Sequence, residues 1–77
     1  MKELLISLAS GLVEHPEEVK VTADEPNAVG VTVYHLSVAE SDMGRVIGKQ
    51  GRIANAIRTV MRAAAARQDK NVAVEID

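Results

Sequence analysis

Apolar side chains near the N-terminus recur at intervals of one, three and four residues, as expected for one stripe of an amphipathic helix. They are Leu4, Leu5, Leu8, Ala9, Leu12 and Val13. The spacing predicts a helix over about residues 2–14. Pro16 follows, and proline cannot continue a helix because it lacks the backbone N–H.

Three later segments alternate between apolar and polar residues, the pattern of a strand with one buried face. The first is 19–24, the second runs from about 29 to 38, and the third is the tail, 72–77. In the tail, Val72, Val74 and Ile76 are predicted to face inward. Ala73, Glu75 and Asp77 are predicted to face outward.

The second strand changes phase near its middle. Val29, Val31 and Val33 share one face, whereas Tyr34, Leu36 and Val38 share the other. Two explanations stay open: a β-bulge near Tyr34 resets the register, or one row of valines lies on a sheet face that a partner covers.

Between the second and third strands, the pattern predicts two helices separated by a glycine loop. Ser41 is the expected N-cap of a short helix over about 42–47, and Gly48 is expected to end it. The next helix runs from about residue 51 or 52 to Arg67. Its predicted buried stripe is Ile53, Ala56, Ile57, Val60 and Ala64.

These elements predict the order αββααβ in one α+β domain over residues 1–77. A strand, two helices and a returning strand need a crossover connection, so the three-stranded sheet should be mixed, with the helices on one face. A chain of 77 residues has room for one small domain.

Composition narrows the possible functions. The chain has no cysteine, and Tyr34 is the only aromatic residue. Neither a signal-peptide pattern nor an apolar run long enough to cross a bilayer is present, so we expect a cytoplasmic protein that makes no membrane contact. We expect no metal, cofactor or small-molecule substrate, and no catalysis, because His15 and His35 lack ligand partners at a recognisable spacing and no serine has a nearby base.

The charges are strongly segregated along the chain. The net charge is −2, but residues 1–44 carry eight acidic and two basic side chains, whereas residues 45–70 carry seven basic side chains and one acidic. A phosphate backbone responds to the local potential, and not to the net charge. The second segment could therefore bind nucleic acid, although a solvated basic helix face is about equally compatible with its charge.

The segment Gly48-Lys49-Gln50-Gly51 joins the two predicted helices. Glycine has no Cβ, so a phosphodiester backbone can lie directly against such a loop. The helix that starts near Gly51 would present its positive dipole end there, and Lys49 would add a mobile charge.

The stretch from Met43 to Ile53, MGRVIGKQGRI, resembles the Val-Ile-Gly-x-x-Gly core of KH domains. Over its full length the chain resembles type II KH domains, and among them the small bacterial KhpA (YlqC) RNA-binding family. The resemblance implies a groove for about four nucleotides of single-stranded RNA, clamped at the Gly-x-x-Gly loop. It further implies homodimers, a complex with a second KH-containing protein of the KhpB (Jag) type, and a role as RNA chaperone or regulator in cell division and envelope growth.

Carried onto this chain, the resemblance assigns nine residues to the RNA site. The clamp is Gly48, Lys49, Gln50 and Gly51; Arg52 and Asn55 face the same backbone, Arg45 flanks the loop, and Ile47 and Ile57 lie beneath the bases. Arg58 and Arg62 form a basic strip that is as compatible with solvent as with RNA. Two rival functions are a helix-turn-helix DNA binder and a protein-interaction module without RNA affinity.

Overall fold

The elements follow the predicted order, with one difference in the second helical region. The computed structural model describes residues 1–76, apart from the Lys49 side chain; Asp77, predicted to face outward, lies outside them. The elements are α1 (Lys2–Ser10), a 3₁₀ turn (Pro16–Glu18), β1 (Lys20–Ala23), β2 (Val31–Ser37), α2 (Glu40–Arg67) and β3 (Asn71–Ile76).

The strands form one mixed sheet in the order β1-β2-β3. β1 is antiparallel to β2, and β2 is parallel to β3. α2 supplies the crossover between the parallel strands and packs on β3, while α1 packs on β1. The predicted α+β fold with a three-stranded mixed sheet is therefore confirmed.

The pairing of β2 excludes one of the two explanations for its change of phase. Its ladder with β3 runs without interruption from Val31 to Leu36, so β2 contains no bulge. Tyr34 and Leu36 are buried toward the helices, and Val31 and Val33 are half-buried on the opposite face. Val29, predicted to belong to the strand, is 78% exposed in the preceding turn.

Helix α1 is shorter than the apolar spacing predicted. It ends at Ser10, with Gly11 as C-cap, instead of continuing to residue 14. Leu12, predicted to be buried, is 39% exposed. Glycine weakens a helix, and the chain leaves the helical path here because the N–H groups of Glu14 and His15 donate to the Asp42 carboxylate instead.

Helix α2 replaces the two predicted helices. It extends over 28 residues without a gap. Its N-cap is Ala39, so the prediction that Ser41 caps it is wrong; Gly48 lies inside the helix and does not end it. The predicted interruption exists in another form, because Gln50 and Gly51 have φ values of 64° and 72°. Among the described residues, no helix combines the length and hydrophobicity that crossing a bilayer requires.

The buried stripe of α2 is turned relative to the prediction. Ile57 is buried as expected, but Ala56 is exposed and Val60 is 41% exposed. The residues that face the sheet are Ala54, Ile57, Met61 and Ala65. Two of these positions are alanines, and the larger Val60 lies at the surface.

Candidate nucleic-acid interface

The Gly-x-x-Gly segment contains a sharp backbone feature inside α2. Gln50 and Gly51 are consecutive residues in the left-handed region. Such residues cannot continue a right-handed helix, so the helix axis changes direction at this point. Gly51 tolerates this conformation because it has no Cβ, whereas Gln50 adopts it at some cost in energy. The break thus gives the second half of α2 its own N-terminal end at Arg52.

Two glycines beside the break leave a surface free of side chains. Gly44 and Gly48 are four residues apart on one helix face, and a Cβ added at either would meet no atom within 4 Å. Both line a cavity of about 440 Å³, together with Arg45, Arg52 and Ile53. Sequence analysis assigned no role to Gly44, although its spacing from Gly48 could have indicated one.

The other predicted site residues are only partly brought together. Asn55 lies next to the break, with its Nδ2 3.9 Å from the position of a Cβ on Gly51. Ile47 is 53% exposed, so its side chain is available to a ligand. Ile57 is 1% exposed and can support the surface only from below. Gln50 is exposed, and the Lys49 side chain lies outside the described part of the chain.

Arg45 is held by an acidic partner from the first half of the chain. Its Nη2 donates to Glu14 Oε1 at 2.8 Å, and both side chains are largely exposed. A pair of this kind contributes at most about 1 kcal/mol, because water and salt screen it. A phosphate group could therefore compete for Arg45 at little cost.

Asp42 is the buried polar residue that sequence analysis missed. It is 2% exposed, and its two carboxylate oxygens accept from the N–H groups of Glu14 (3.1 Å) and His15 (3.0 Å). These bonds tie the segment after α1 to the first turn of α2, and so fix the orientation of the helix that carries the glycines. An acidic residue in the first turn of a helix was the available signal, but its partners are 27 and 28 residues away.

The second half of α2 contacts the edge strand through an arginine. Arg58 Nε donates to the Val74 carbonyl oxygen at 3.1 Å, and Arg58 is half-buried. Arg62, its partner in the predicted basic strip, is exposed and lines a cavity of about 370 Å³ at the α2–β3 turn, as does Lys70. The two arginines therefore differ, since only the first has a protein partner among the bonds described.

One cluster outside this surface joins groups that sequence analysis had treated separately. His15, Glu17 and Glu18 bring possible ligand atoms within 4.8 Å of one another, and His15 Nδ1 lies 3.4 Å from Glu17 Oε1. The cluster is at the surface on the 3₁₀ turn. Exposed acidic groups of this kind are common without a metal, so a solvated cluster remains our interpretation.

Comparisons with known proteins agree with the resemblance seen in the motif. The family described as "KhpA/KhpB, KH domain" matches residues 2–76. A Listeria monocytogenes protein named RNA-binding protein KhpA is 50% identical over 76 residues, covering 99% of this chain and 97% of the relative. A Clostridium acetobutylicum protein of the same name is 53% identical, with 99% of each chain covered.

Among solved structures, the chain is similar in fold to part of Era. One such structure is Era in complex with MgGDPNP and nucleotides 1506–1542 of 16S ribosomal RNA, with a TM-score of 0.70 and 22% identity. Another is Aquifex aeolicus Era bound to GDP.AlF4-, with a TM-score of 0.69 and 22% identity. The similarity covers 97% of this chain but only 28% of either Era chain. The family match over residues 2–76 and the relatives at 50% and 53% identity show that the chain belongs to the KhpA/KhpB family of KH domains.

Proposed function

We propose that this protein binds single-stranded RNA by holding the sugar-phosphate backbone against the Gly48–Gly51 segment of α2. The observation that carries the proposal is the left-handed pair Gln50 and Gly51, set beside open glycines in the basic half of the chain. Relatives that are about half identical are named RNA-binding proteins, and one Era structure of similar fold contains ribosomal RNA.

The geometry suggests how each part contributes. Gly44 and Gly48 leave open space where a side chain would project, so an RNA backbone could approach the helix there. Arg45 and Arg52 line the same cavity and supply positive charge for phosphates. The exposed Ile47 offers an apolar surface to bases. The positive dipole end of the second half of α2, at Arg52, adds to the attraction for an anion.

A single copy should bind RNA weakly. Stacking on aromatic rings contributes about 1–3 kcal/mol per base in other single-strand binders, but the only aromatic residue, Tyr34, is 9% exposed here. Two linked modules raise avidity without new contacts. A homodimer, a complex with a KhpB (Jag)-like KH protein, or both would meet this need, and sedimentation with and without RNA tests self-association.

The family resemblance also suggests a cellular role for this protein. We expect a cytoplasmic bacterial RNA chaperone or post-transcriptional regulator whose targets bear on cell division and envelope growth, and not an enzyme. Crosslinking to RNA in growing cells, followed by sequencing of the bound fragments, would identify those targets. Fragments without enrichment over total RNA would contradict the regulatory role.

The binding site itself is tested by reversing charge at the loop. The double variant Lys49→Asp and Gln50→Asp should retain its circular-dichroism spectrum and lose measurable RNA binding, because two carboxylates would face the phosphates. Lys20→Asp, on the exposed side of β1, is the matched control and should bind RNA as the natural protein does. Binding retained by the double variant would show that the loop is not the clamp and would favour another surface.

The same titration separates RNA binding from the helix-turn-helix alternative. At equal salt concentration, a single-stranded oligoribonucleotide should bind more tightly than a DNA duplex. The break in α2 is confined to two residues, Gln50 and Gly51, whereas a helix-turn-helix separates its helices by a turn of about three or four residues. Tighter binding of the duplex would overturn the proposal.

A further inference from the structure

Arg58 is fixed at the edge of the sheet by a backbone group. Its Nε donates to the Val74 carbonyl oxygen at 3.1 Å. Val74 lies in β3, which has a strand neighbour only on its β2 side. A guanidinium is planar, so one bond through Nε also restricts the direction of the two terminal Nη groups. Arg58 is therefore a pre-oriented donor and not a freely moving surface charge.

The position of Arg58 connects it to the loop. Gly51, Asn55, Arg58 and Arg62 are spaced at intervals of four, three and four, which places them along one flank of the second half of α2. This flank begins at the backbone break, where Asn55 lies beside Gly51. It ends at the cavity that Arg62 and the α2–β3 turn line. A strand held at the loop and extended along this flank would pass Arg58.

The Arg58 N–H donors that do not bond to Val74 can distinguish between bases. With Nε engaged by Val74, the two Nη groups of Arg58 present adjacent, nearly parallel N–H donors. Guanine offers a matching pair of acceptors at O6 and N7, and cytosine offers one at O2 and N3. Adenine and uracil place a donor beside each acceptor along their Watson–Crick edges, so only one N–H can be satisfied there. The shared feature of the favoured bases is two neighbouring acceptors.

We propose that Arg58 reads base identity in the bound RNA, selecting guanine or cytosine at one position, with the Val74 carbonyl as the group that positions it. This inference rests on the proposed RNA-binding function and adds a specificity residue to it. If Arg58 had a structural role alone, satisfying the edge of β3, its replacement would change stability without changing which base is preferred.

Arg58→Lys is the informative variant because it keeps the charge and removes the planar pair of donors. Nonamers of uridine, adenosine, cytidine and alternating guanosine-uridine are titrated at one salt concentration. The natural protein should prefer the cytidine or the guanosine-containing nonamer by about tenfold, and the variant should lose this preference while its affinity for the uridine and adenosine nonamers is unchanged. Arg67→Lys, which is exposed and nine residues further, on the opposite side of the helix, is the control and should keep the preference.

The outcomes separate this inference from the proposed function. A natural protein that binds all four nonamers equally, or an Arg58→Lys variant that keeps the preference, overturns the inference and leaves RNA binding intact. A natural protein that binds none of them overturns both. If the variant unfolds, the inference is tested instead by nuclear magnetic resonance on the unsubstituted protein, which follows the Arg58 Nε–H signal during the titrations. A shift caused by the favoured nonamer and not by adenosine or uridine supports base reading, and an equal or absent shift overturns it.

Discussion

At the scale of single residues, the two glycines of the loop have different physical roles. Gly51 has a left-handed backbone (φ 72°), which disfavours any side chain whatever the free space. Gly48 lies in the helical run without a left-handed φ, and its surroundings would admit a Cβ. Helix formation would therefore favour alanine at Gly48, so its presence is better explained by the approach of a ligand backbone.

Two alanine substitutions should therefore act in opposite directions on stability. Gly48→Ala should raise the free energy of unfolding by about 0.5–1 kcal/mol and still weaken RNA binding, because the new methyl group occupies the backbone path. Gly51→Ala should lower the free energy of unfolding by about 1–2 kcal/mol, because alanine is strained in a left-handed backbone conformation. Urea unfolding and RNA titration measure the two effects. Gly30→Ala, at φ 83° in the turn before β2 and outside the Gly48–Gly51 segment, is the control for strain alone; unchanged RNA affinity in Gly48→Ala would contradict the steric argument.

At the scale of elements, the sequence predicted those features of the fold that depend on strong periodicity and on loop composition. The order of the three strands, the mixed sheet and the helical crossover are confirmed, because apolar–polar alternation marks the strand segments and parallel neighbours need a crossover. The two helices predicted between the second and third strands form one helix, α2. The buried stripe of α2 was predicted correctly at Ile57 but is displaced by about one residue elsewhere, to Ala54, Met61 and Ala65, since alanines are compatible with either the core or the surface. The left-handed backbone at Gln50 could not be foreseen, because glutamine carries no signal for it.

In the site, too, features set by neighbouring residues could be predicted, whereas those set by residues distant in sequence could not. The motif located the break in α2 to within a few residues, but it placed the end of a helix at Gly48. The bond from Arg58 to β3 and the burial of Asp42 both depend on residues distant in sequence, so local patterns do not reveal them. Long-range pairing of polar groups was the missing information in both cases.

The connection that Asp42 makes between α1 and α2 can be measured through stability. Asp42→Ala leaves the Glu14 and His15 N–H groups without their acceptor, and should lower the free energy of unfolding by about 3 kcal/mol. Asp42→Asn keeps one acceptor oxygen and should cost less. Glu40→Ala, an exposed acid in the same first turn of α2, controls for the helix-dipole effect and should change stability by no more than about 0.5 kcal/mol. Equal losses for Asp42→Ala and Glu40→Ala would rule out the proposed connection.

At the scale of the whole molecule, the acidic and basic side chains that are segregated along the chain lie on different helices, strands and loops. The basic side chains after residue 44 lie mainly on α2, whereas most acidic ones lie on α1, the 3₁₀ turn and the loops. Glu14 and Arg45 join the two sets at the cavity beside the break. A net charge of −2 therefore coexists with a basic surface on α2, and we expect RNA to contact the protein through α2.

This division predicts how RNA binding responds to salt. A loop that holds about four nucleotides contacts about three phosphates, so log K should fall with log salt with a slope of about −2, or roughly 15-fold between 50 and 200 mM. Arg52→Gln should reduce the slope by about 0.7, because one contact near the break is lost, and Lys20→Gln on β1 should leave it unchanged. Titrations with a fluorescent oligonucleotide at four salt concentrations measure this. A slope near zero, or one that Lys20→Gln lowers as much as Arg52→Gln, would mean that the basic half of the chain does not contact the RNA backbone.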